Sequence, residues 1–517
     1  MPHAGPLLEA PIQLSNLLHV GLTDRPNDAA LVSMEGVWSW SDLEQATSRV
    51  AAHYLALGLK PGDRVASLMP NRTALFVHYL ACFKAGLVLT PLNYRYTPPE
   101  IDHALEVSGA KIIFAHAERA SDIAASKASS LPLGVISYGD EDSKGPSFEA
   151  LVKAAAPAVT LPEPGPDAPV AIFFTSGSTG PAKGVTHTRA SLGWMFASAA
   201  LAFELTPHDV LLPGSSCSHI GGFGFSFSAL SAGARVVVAR GFDHDEIGPL
   251  LRTTRPTLLS MLPTALLHLI REHDMTPDEL SSLRLCRSAG DKVPAELEKE
   301  FIALTGRPVS EGYGMTEIGL AALNPPMGVD KLGSIGVPSP GFAFSIRDEQ
   351  GRETSAGEQG RLWVRTPTQS PGYWNDPQAS AEVVRDGWFD TGDVMKIDGD
   401  GYVWFCGRQK QIIVHDGSNI SPQEVEDALL QHPAVESAGV VGVHDLMHGE
   451  NVQAYVELKA DMPRPKTGDL IQFARARVGY KAPEEIVVLD AMPLNPTGKV
   501  DRAALKKVAA GDHAHQA

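Results

Sequence analysis

Residues Ile172-Phe-Phe-Thr-Ser-Gly-Ser-Thr-Gly-Pro-Ala-Lys-Gly184 run from an apolar, strand-like stretch into a loop rich in Gly, Ser and Thr, with a lysine behind it. Such a loop turns successive backbone N–H groups and hydroxyls toward an anion, because glycine lets the backbone approach closely. Lys183 adds a positive charge, so the chemistry served is phosphate binding. The pattern is not the common nucleoside-triphosphatase loop, in which lysine follows glycine and precedes Ser or Thr. Here Ala182 precedes Lys183 and Gly184 follows it. No G-x-S-x-G elbow surrounds Ser176 or Ser178, which argues against a serine nucleophile. The plain alternative is a flexible polar surface loop, but such loops seldom follow a buried strand with this pattern.

The elements that position the loop alternate in type. Ser41-Asp-Leu-Glu44 has capping-box spacing and opens a helical stretch to about Leu57. Arg64 to Met69 reads as a short buried strand, Thr73 to Ala85 as a helix, Leu87 to Leu92 as a strand, Pro98 to Val107 as a helix and Lys111 to Ala115 as a strand. Alternation of this kind implies mostly parallel sheets covered by helices. Strand-like runs recur at Ala234 to Ala239, Thr257 to Leu262 and Leu283 to Ser288. From Gly341 short strands with frequent glycine suggest a β-barrel-like part, and after Gly407 comes a compact α/β segment large enough to fold separately. The expected fold class is α/β, with a large N-terminal domain over 1–407 and a small C-terminal α/β domain over 408–517. The polar stretch from Lys506 to Ala517 reads as a frayed end.

Composition narrows the function classes. The 517 residues include 43 basic and 60 acidic side chains, a net charge of −17, which disfavours a nucleic-acid or anionic-membrane surface. Cys82, Cys217, Cys286 and Cys406 are widely spaced and fit a reducing compartment and a metal-free scaffold. No apolar run follows an N-terminal basic stretch, and none approaches the roughly 20 residues that span a bilayer. The expected location is the cytoplasm. His444-Asp-Leu-Met-His448 has metal-like spacing but no further ligands close by.

Four more motifs follow the loop: Glu311-Gly-Tyr-Gly-Met-Thr-Glu317, Gly387-Trp-Phe-Asp-Thr-Gly-Asp393, Gly407-Arg-Gln-Lys-Gln-Ile-Ile413 and Asn495-Pro-Thr-Gly-Lys499. Together with 172–184 the set resembles, in order, the signatures of the adenylate-forming superfamily of acyl-CoA synthetases, peptide-synthetase adenylation domains and beetle-type luciferases. The resemblance covers roughly residues 14 to 506. It implies an ATP-dependent acid–thiol ligase that makes an acyl-adenylate, releases pyrophosphate and passes the acyl group to coenzyme A. A stand-alone enzyme loading a carrier protein and a luciferase-like oxygenase are alternatives on the same scaffold. The absence of an appended carrier domain after Lys499 favours free coenzyme A.

The resemblance also implies roles. Thr175, Ser176, Gly177, Ser178, Thr179 and Gly180, with Lys183, would hold the β- and γ-phosphates of ATP. Thr316 would touch the α-phosphate and Glu317 would bind Mg²⁺, a hard cation that prefers carboxylate oxygen. Tyr313 would stack on adenine, flanked by Glu311, Gly312 and Gly314, with Gly290 close to the base. Asp393 and Arg408 would hold the ribose. Lys499 would bridge the acid and the α-phosphate during adenylation. Lys410 matches the hinge about which a mobile small domain rotates, although Gln411 stands where an acidic residue is common. Gly417 would line the pantetheine tunnel. His219 matches a position bordering the acyl pocket, and no aspartate near it offers a counter-charge for an α-ammonium, which favours a simple fatty or aromatic acid over an amino acid. Phe223, Phe225 and Phe227 beside Gly222 and Gly224 fit an apolar acyl pocket or a packed strand. Arg287-Ser-Ala-Gly-Asp-Lys292 departs from the Gly-rich segment usual at the pocket wall.

Overall fold

A computed structural model describes residues 3–140, 145–175, 182–241, 244–271, 275–288, 293, 295–326, 328–348, 350–408, 413–420, 422–460, 462–493 and 500–513. The chain divides into two units. One comprises Met1–Tyr94, Ile101–Phe174 and Gly184–Gly407, and the other Arg95–Glu100, Thr175–Lys183 and Arg408–Ala517.

Among the described residues of the large unit, two sheets follow from the alternating pattern. Strands Arg64–Leu68, Val88–Pro91, Ile112–His116, Val135–Tyr138 and Pro169–Thr175 pair in parallel within a seven-stranded sheet. Strands Ala29–Ser33, Arg235–Val238, Val210–Gly214, Leu258–Met261, Leu285–Ser288 and Val309–Met315 do so within a nine-stranded one. Their runs are apolar on both faces, as parallel strands covered by helices require. Strands Ala343–Arg347, Gly360–Arg365, Val384–Arg385 and Trp388–Ile397 pair antiparallel within a six-stranded sheet that has its own core of Phe344, Leu362, Phe389 and Met395.

Helix Thr73–Ala85 is buried at every position except Lys84 and ends at Gly86, whose φ of 68° suits a residue without Cβ. It packs against helix Ile220–Ser231, the segment read from sequence as a pocket or a packed strand. The segment is a helix, and within it Gly222 sits where a larger side chain would crowd. A Cβ at Gly222 would come within 2.5 Å of the Ser216 carbonyl oxygen. Helical spacing then separates the three phenylalanines. Phe223 and Phe227 share one face, 4.6 Å apart, and meet Tyr79 and Phe76 at 5.3 and 5.5 Å. All three are core residues, and Phe225 faces Phe203 instead. Phe223→Ala will therefore destabilise the large unit by ~3–5 kcal/mol, the usual loss for a fully buried ring, as read from urea denaturation.

Two local expectations shift. The first long helix is Trp40–Ala56, capped by Ser39 rather than Ser41: Ser39 accepts from the Asp42 N–H at 3.0 Å and Asp42 accepts from the Ser39 N–H at 3.1 Å. Buried Trp40 fixes the entry of the chain and selects the earlier serine. The polar end is not frayed over its described part: Arg502–His513 is a helix, and Leu505 and Ala509 pack with Val441, Tyr455 and Met492.

In the smaller unit, Ser418–Ile420, Ile413–His415, Gly449–Leu458 and Val435–Asp445 pair in antiparallel order, and Glu485–Leu489 joins Gly449–Leu458 in parallel. Helices Pro422–Leu430 and Thr467–Val478 contribute Val425, Leu429, Leu470 and Ala474 to its core. No described helix is long and apolar enough to cross a membrane.

Candidate nucleotide and acyl site

The segment Glu311–Glu317 leaves the sheet through a tight reversal. Strand Val309–Met315 pairs antiparallel with Gly319–Leu323, with an irregularity at Tyr313/Gly314. A Cβ at Gly314 would lie 2.4 Å from the Gly319 carbonyl oxygen, so only glycine fits. The Tyr313 hydroxyl donates to Asp393 Oδ2 at 2.6 Å, and the Asp393 N–H donates to Thr391 Oγ1 at 3.1 Å. Both Tyr313 and Asp393 are buried. Two residues singled out from separate motifs thus form one hydrogen-bonded pair.

Thr316 and Glu317 are held by groups that no motif announces. His187 Nε2 lies 2.8 Å from the Thr316 carbonyl oxygen, which only accepts, so Nε2 carries the proton. Nδ1 then accepts from Ser191 Oγ at 3.3 Å. The Tyr373 hydroxyl donates to Glu317 Oε1 at 3.0 Å, and the Ser370 N–H donates to the Glu317 carbonyl at 2.7 Å. Burial and the adjacent carboxylate push the Tyr373 phenol up, keeping it a donor. Tyr373 belongs to the short strand Gly372–Tyr373, which pairs with Lys183–Thr188, the strand leaving the phosphate loop. Trp374 N–H extends that contact to the Gly184 carbonyl at 2.6 Å. The exit of the loop and the Thr316–Glu317 turn are therefore braced by the same strand pair. Single residues outside the quoted motifs carry no sequence signal, even His187 three positions past Gly184, and His187, Ser370 and Tyr373 escaped notice for that reason.

Burial lowers the His187 pKa to about 4. The unfolded residue, near 6.5, binds a proton that the folded one rejects, so stability is lost as pH falls from about 6.5 toward 4. The difference corresponds to about 3 kcal/mol. Buried His78, lowered to about 3, acts in the same direction. Urea midpoints will fall between pH 7 and pH 4.5. They will fall less in His187→Gln, whose amide can donate to the same carbonyl without titrating.

Thr175 ends strand Pro169–Thr175, Lys183 begins Lys183–Thr188 and Arg408 ends Val403–Arg408. Ser176, Gly177, Ser178, Thr179, Gly180, Gly290, Lys410 and Lys499 lie outside the described residues. Exposed His219 is the N-terminal cap residue of helix Ile220–Ser231, and its Nε2 lies 3.4 Å from Asn93 Nδ2. Gly417 follows Asp416 in a two-residue hairpin closed by His415 and Ser418. Their φ values are 48° and 68°, as a primed turn demands, so the turn alone accounts for a glycine there.

A single carboxylate such as Glu317 fits Mg²⁺, which keeps several waters and takes the rest of its ligands from substrate phosphates. Among the described residues no group of three or more His, Cys, Asp or Glu is arranged to hold a metal. His448 instead bonds Asp445 Oδ1 at 2.9 Å and stacks on His415 at 5.0 Å.

The family described as AMP-binding enzyme matches residues 20–374, and the AMP-binding enzyme C-terminal domain matches residues 424–499. The chain is 33% identical over 482 residues to a feruloyl-CoA synthase of an Amycolatopsis sp, covering 91% of this chain and 93% of that protein. It is 32% identical over 497 residues to an indoleacetate–CoA ligase of Aromatoleum aromaticum, covering 95% and 97%. Among solved structures, the amide bond synthetase McbA from Marinactinospora thermotolerans superposes with a TM-score of 0.87 at 26% identity, covering 96% of this chain and 99% of that one.

Proposed function

The chain belongs to the AMP-binding enzyme family and is an ATP-dependent acid–thiol ligase, and we propose that its acid is aromatic and its acceptor free coenzyme A. The names of the relatives, a feruloyl and an indoleacetate ligase, support an aryl-bearing acid. The observation that carries the site assignment is the bracing of the Thr316–Glu317 turn by His187 and Tyr373, on strands that flank the exit of the phosphate loop.

In this reading a carboxylate oxygen attacks the α-phosphorus of ATP, and the bond to pyrophosphate breaks. The coenzyme A sulfur then attacks the acyl carbon, the carbon–oxygen bond to AMP breaks, and the thiol proton leaves to solvent. The chain brings two anions together and neutralises charge as it develops. Residues 175–180 and Lys183 cradle the β- and γ-phosphates, Thr316 meets the α-phosphate and Lys499 spans acid and phosphate. Tyr313 packs on the base, and Asp393 holds the ribose while accepting from Tyr313. Mg²⁺ at Glu317 would supply charge neutralisation across the phosphates. We assign these roles to a large domain over 1–407 and a small one over 408–517, working in the cytoplasm.

Asp393→Ala will weaken ATP use by roughly 10- to 100-fold, because a hydrogen bond to a charged group contributes ~1.5–3 kcal/mol. It will also slow thioester formation from supplied acyl-adenylate, since the ribose is present in both steps. Unaltered ATP affinity by calorimetry contradicts the ribose assignment. The function itself is tested by pyrophosphate release across a panel of carboxylic acids, with coenzyme A, with a pantetheinylated carrier and with neither. Aryl acids should give pyrophosphate, and coenzyme A should then yield the thioester. Release without any acid, or thioester only with the carrier, contradicts the proposal.

A further inference from the structure

Three successive peptide carbonyls in the turn 316–318 each accept from a different donor. His187 Nε2 donates to the Thr316 carbonyl at 2.8 Å, the Ser370 N–H to that of Glu317 at 2.7 Å and the Thr368 hydroxyl to that of Ile318 at 2.6 Å. Ser370 and Thr368 lie just before strand Gly372–Tyr373. His187 comes from the strand paired with it, Lys183–Thr188, which leaves the phosphate loop.

The His187 ring is fixed on its other sides as well. It is fully buried, and Nδ1 meets Ser191 Oγ at 3.3 Å. That hydroxyl also accepts from the Thr188 N–H at 3.0 Å, as part of the capping box of helix Arg189–Ala202. The ring meets Phe173 edge-on, with centres 6.2 Å apart and planes at 73°. Phe173 lies on Pro169–Thr175, the strand that enters the phosphate loop. His187 therefore touches the strand entering the loop, belongs to the strand leaving it and holds the turn that follows Met315.

A peptide plane pinned at its carbonyl cannot rotate without leaving an interior acceptor unmade, and that is costly. Three pinned planes in a row fix the backbone from which the Thr316 and Glu317 side chains project before any ligand arrives. Donors and charges set in advance in this way need no reorganisation when charge develops.

We propose that His187 is a positioning residue for acyl-adenylate formation. Its Nε2–H holds Thr316 at a fixed distance from the exit of the phosphate loop, so that one triphosphate meets its α-phosphate contact and its β,γ-phosphate cradle together. The ring moves no proton: Nε2 donates to a carbonyl and Nδ1 accepts from a hydroxyl throughout. The inference rests on the ligase reading above and on its placing of Thr316 at the α-phosphate.

The test is acid-dependent ATP–pyrophosphate exchange at saturating ATP, with benzoate, phenylacetate and cinnamate as the acids. His187→Met and His187→Gln have nearly the same shape and differ in the donor. His187→Met should lower the exchange rate by ~10-fold or more, since a misplacement of about 1 Å can cost ~10²-fold. His187→Gln should recover most of that loss. ATP binding without acid, read by calorimetry, should change far less than the rate in either variant, as expected of a group that acts on the transition state. Thr368→Val removes the donor to Ile318 with little change in volume and should lower the rate in the same sense. Equal rates in wild type and His187→Met overturn the proposal. Should that variant not fold, equal rates in wild type and Thr368→Val do so. Matching losses in His187→Met and His187→Gln also overturn it, and make the residue a packing element. An unchanged rate in Thr316→Val contradicts the placing of Thr316, and the positioning role falls with it. Absence of acid-dependent exchange with all three acids contradicts the aryl-acid reading itself.

Discussion

Lys499→Ala will separate the two half-reactions: acyl-adenylate formation will fall by ~10²–10³-fold, the loss typical of one positioned donor at a site of developing charge. Thioester formation from synthetic acyl-adenylate and coenzyme A will survive largely unchanged. The reason is that charge builds on the α-phosphate only while the acid attacks it. A mobile ammonium placed there is spent before the thiol arrives. The proposed hinge at Lys410 would carry Lys499 away from the reacting carbonyl for the second step. Both rates are to be measured in the same preparation. Equal loss in both half-reactions contradicts the separation of roles, and no loss in adenylation removes Lys499 from the site.

Glu317→Gln is the second large effect. Glutamine keeps an oxygen where the Tyr373 hydroxyl donates at 3.0 Å, and it leaves the backbone contacts of Thr316 and Glu317 untouched. The variant therefore isolates the lost charge from the lost shape. Adenylation at limiting Mg²⁺ should fall by ~10²-fold or more, since a metal clamp contributes several kcal/mol at a transferring phosphoryl group. Raising Mg²⁺ should recover part of the rate. Tyr373→Phe, which removes the donor and keeps the carboxylate, should shift the Mg²⁺ requirement far less. Unchanged turnover of Glu317→Gln at limiting Mg²⁺ would remove the residue from the metal site.

What was legible in the sequence follows from how local each signal is. Helix Thr73–Ala85 and strand Arg64–Leu68 announce themselves through continuous apolar runs bounded by Pro, Gly and polar residues. The helix at Ile220–Ser231 does not, because alternating Phe and Gly or Ser mimics a strand. The C-terminal helix looks polar since just Leu505 and Ala509 face its core. At the site, each motif is a run of neighbours and can be read directly. Its supports are not: His187 and Thr316 are 129 positions apart, and Tyr373 and Glu317 are 56 apart. The segment Arg287-Ser-Ala-Gly-Asp-Lys292 stood out in sequence as a departure, and its residues 289–292 lie outside the described residues.

The acyl-adenylate is the central claim, and an isotope test reaches it without any variant. An aryl acid labelled with ¹⁸O in its carboxylate is turned over with ATP and coenzyme A, and the products are read by mass spectrometry. The carboxylate oxygen that attacks the α-phosphorus stays with it when the sulfur displaces AMP. One ¹⁸O should therefore appear in AMP for each thioester formed, with none in pyrophosphate. Label in inorganic phosphate accompanied by ADP, or thioester formation with unlabelled AMP, would contradict the account.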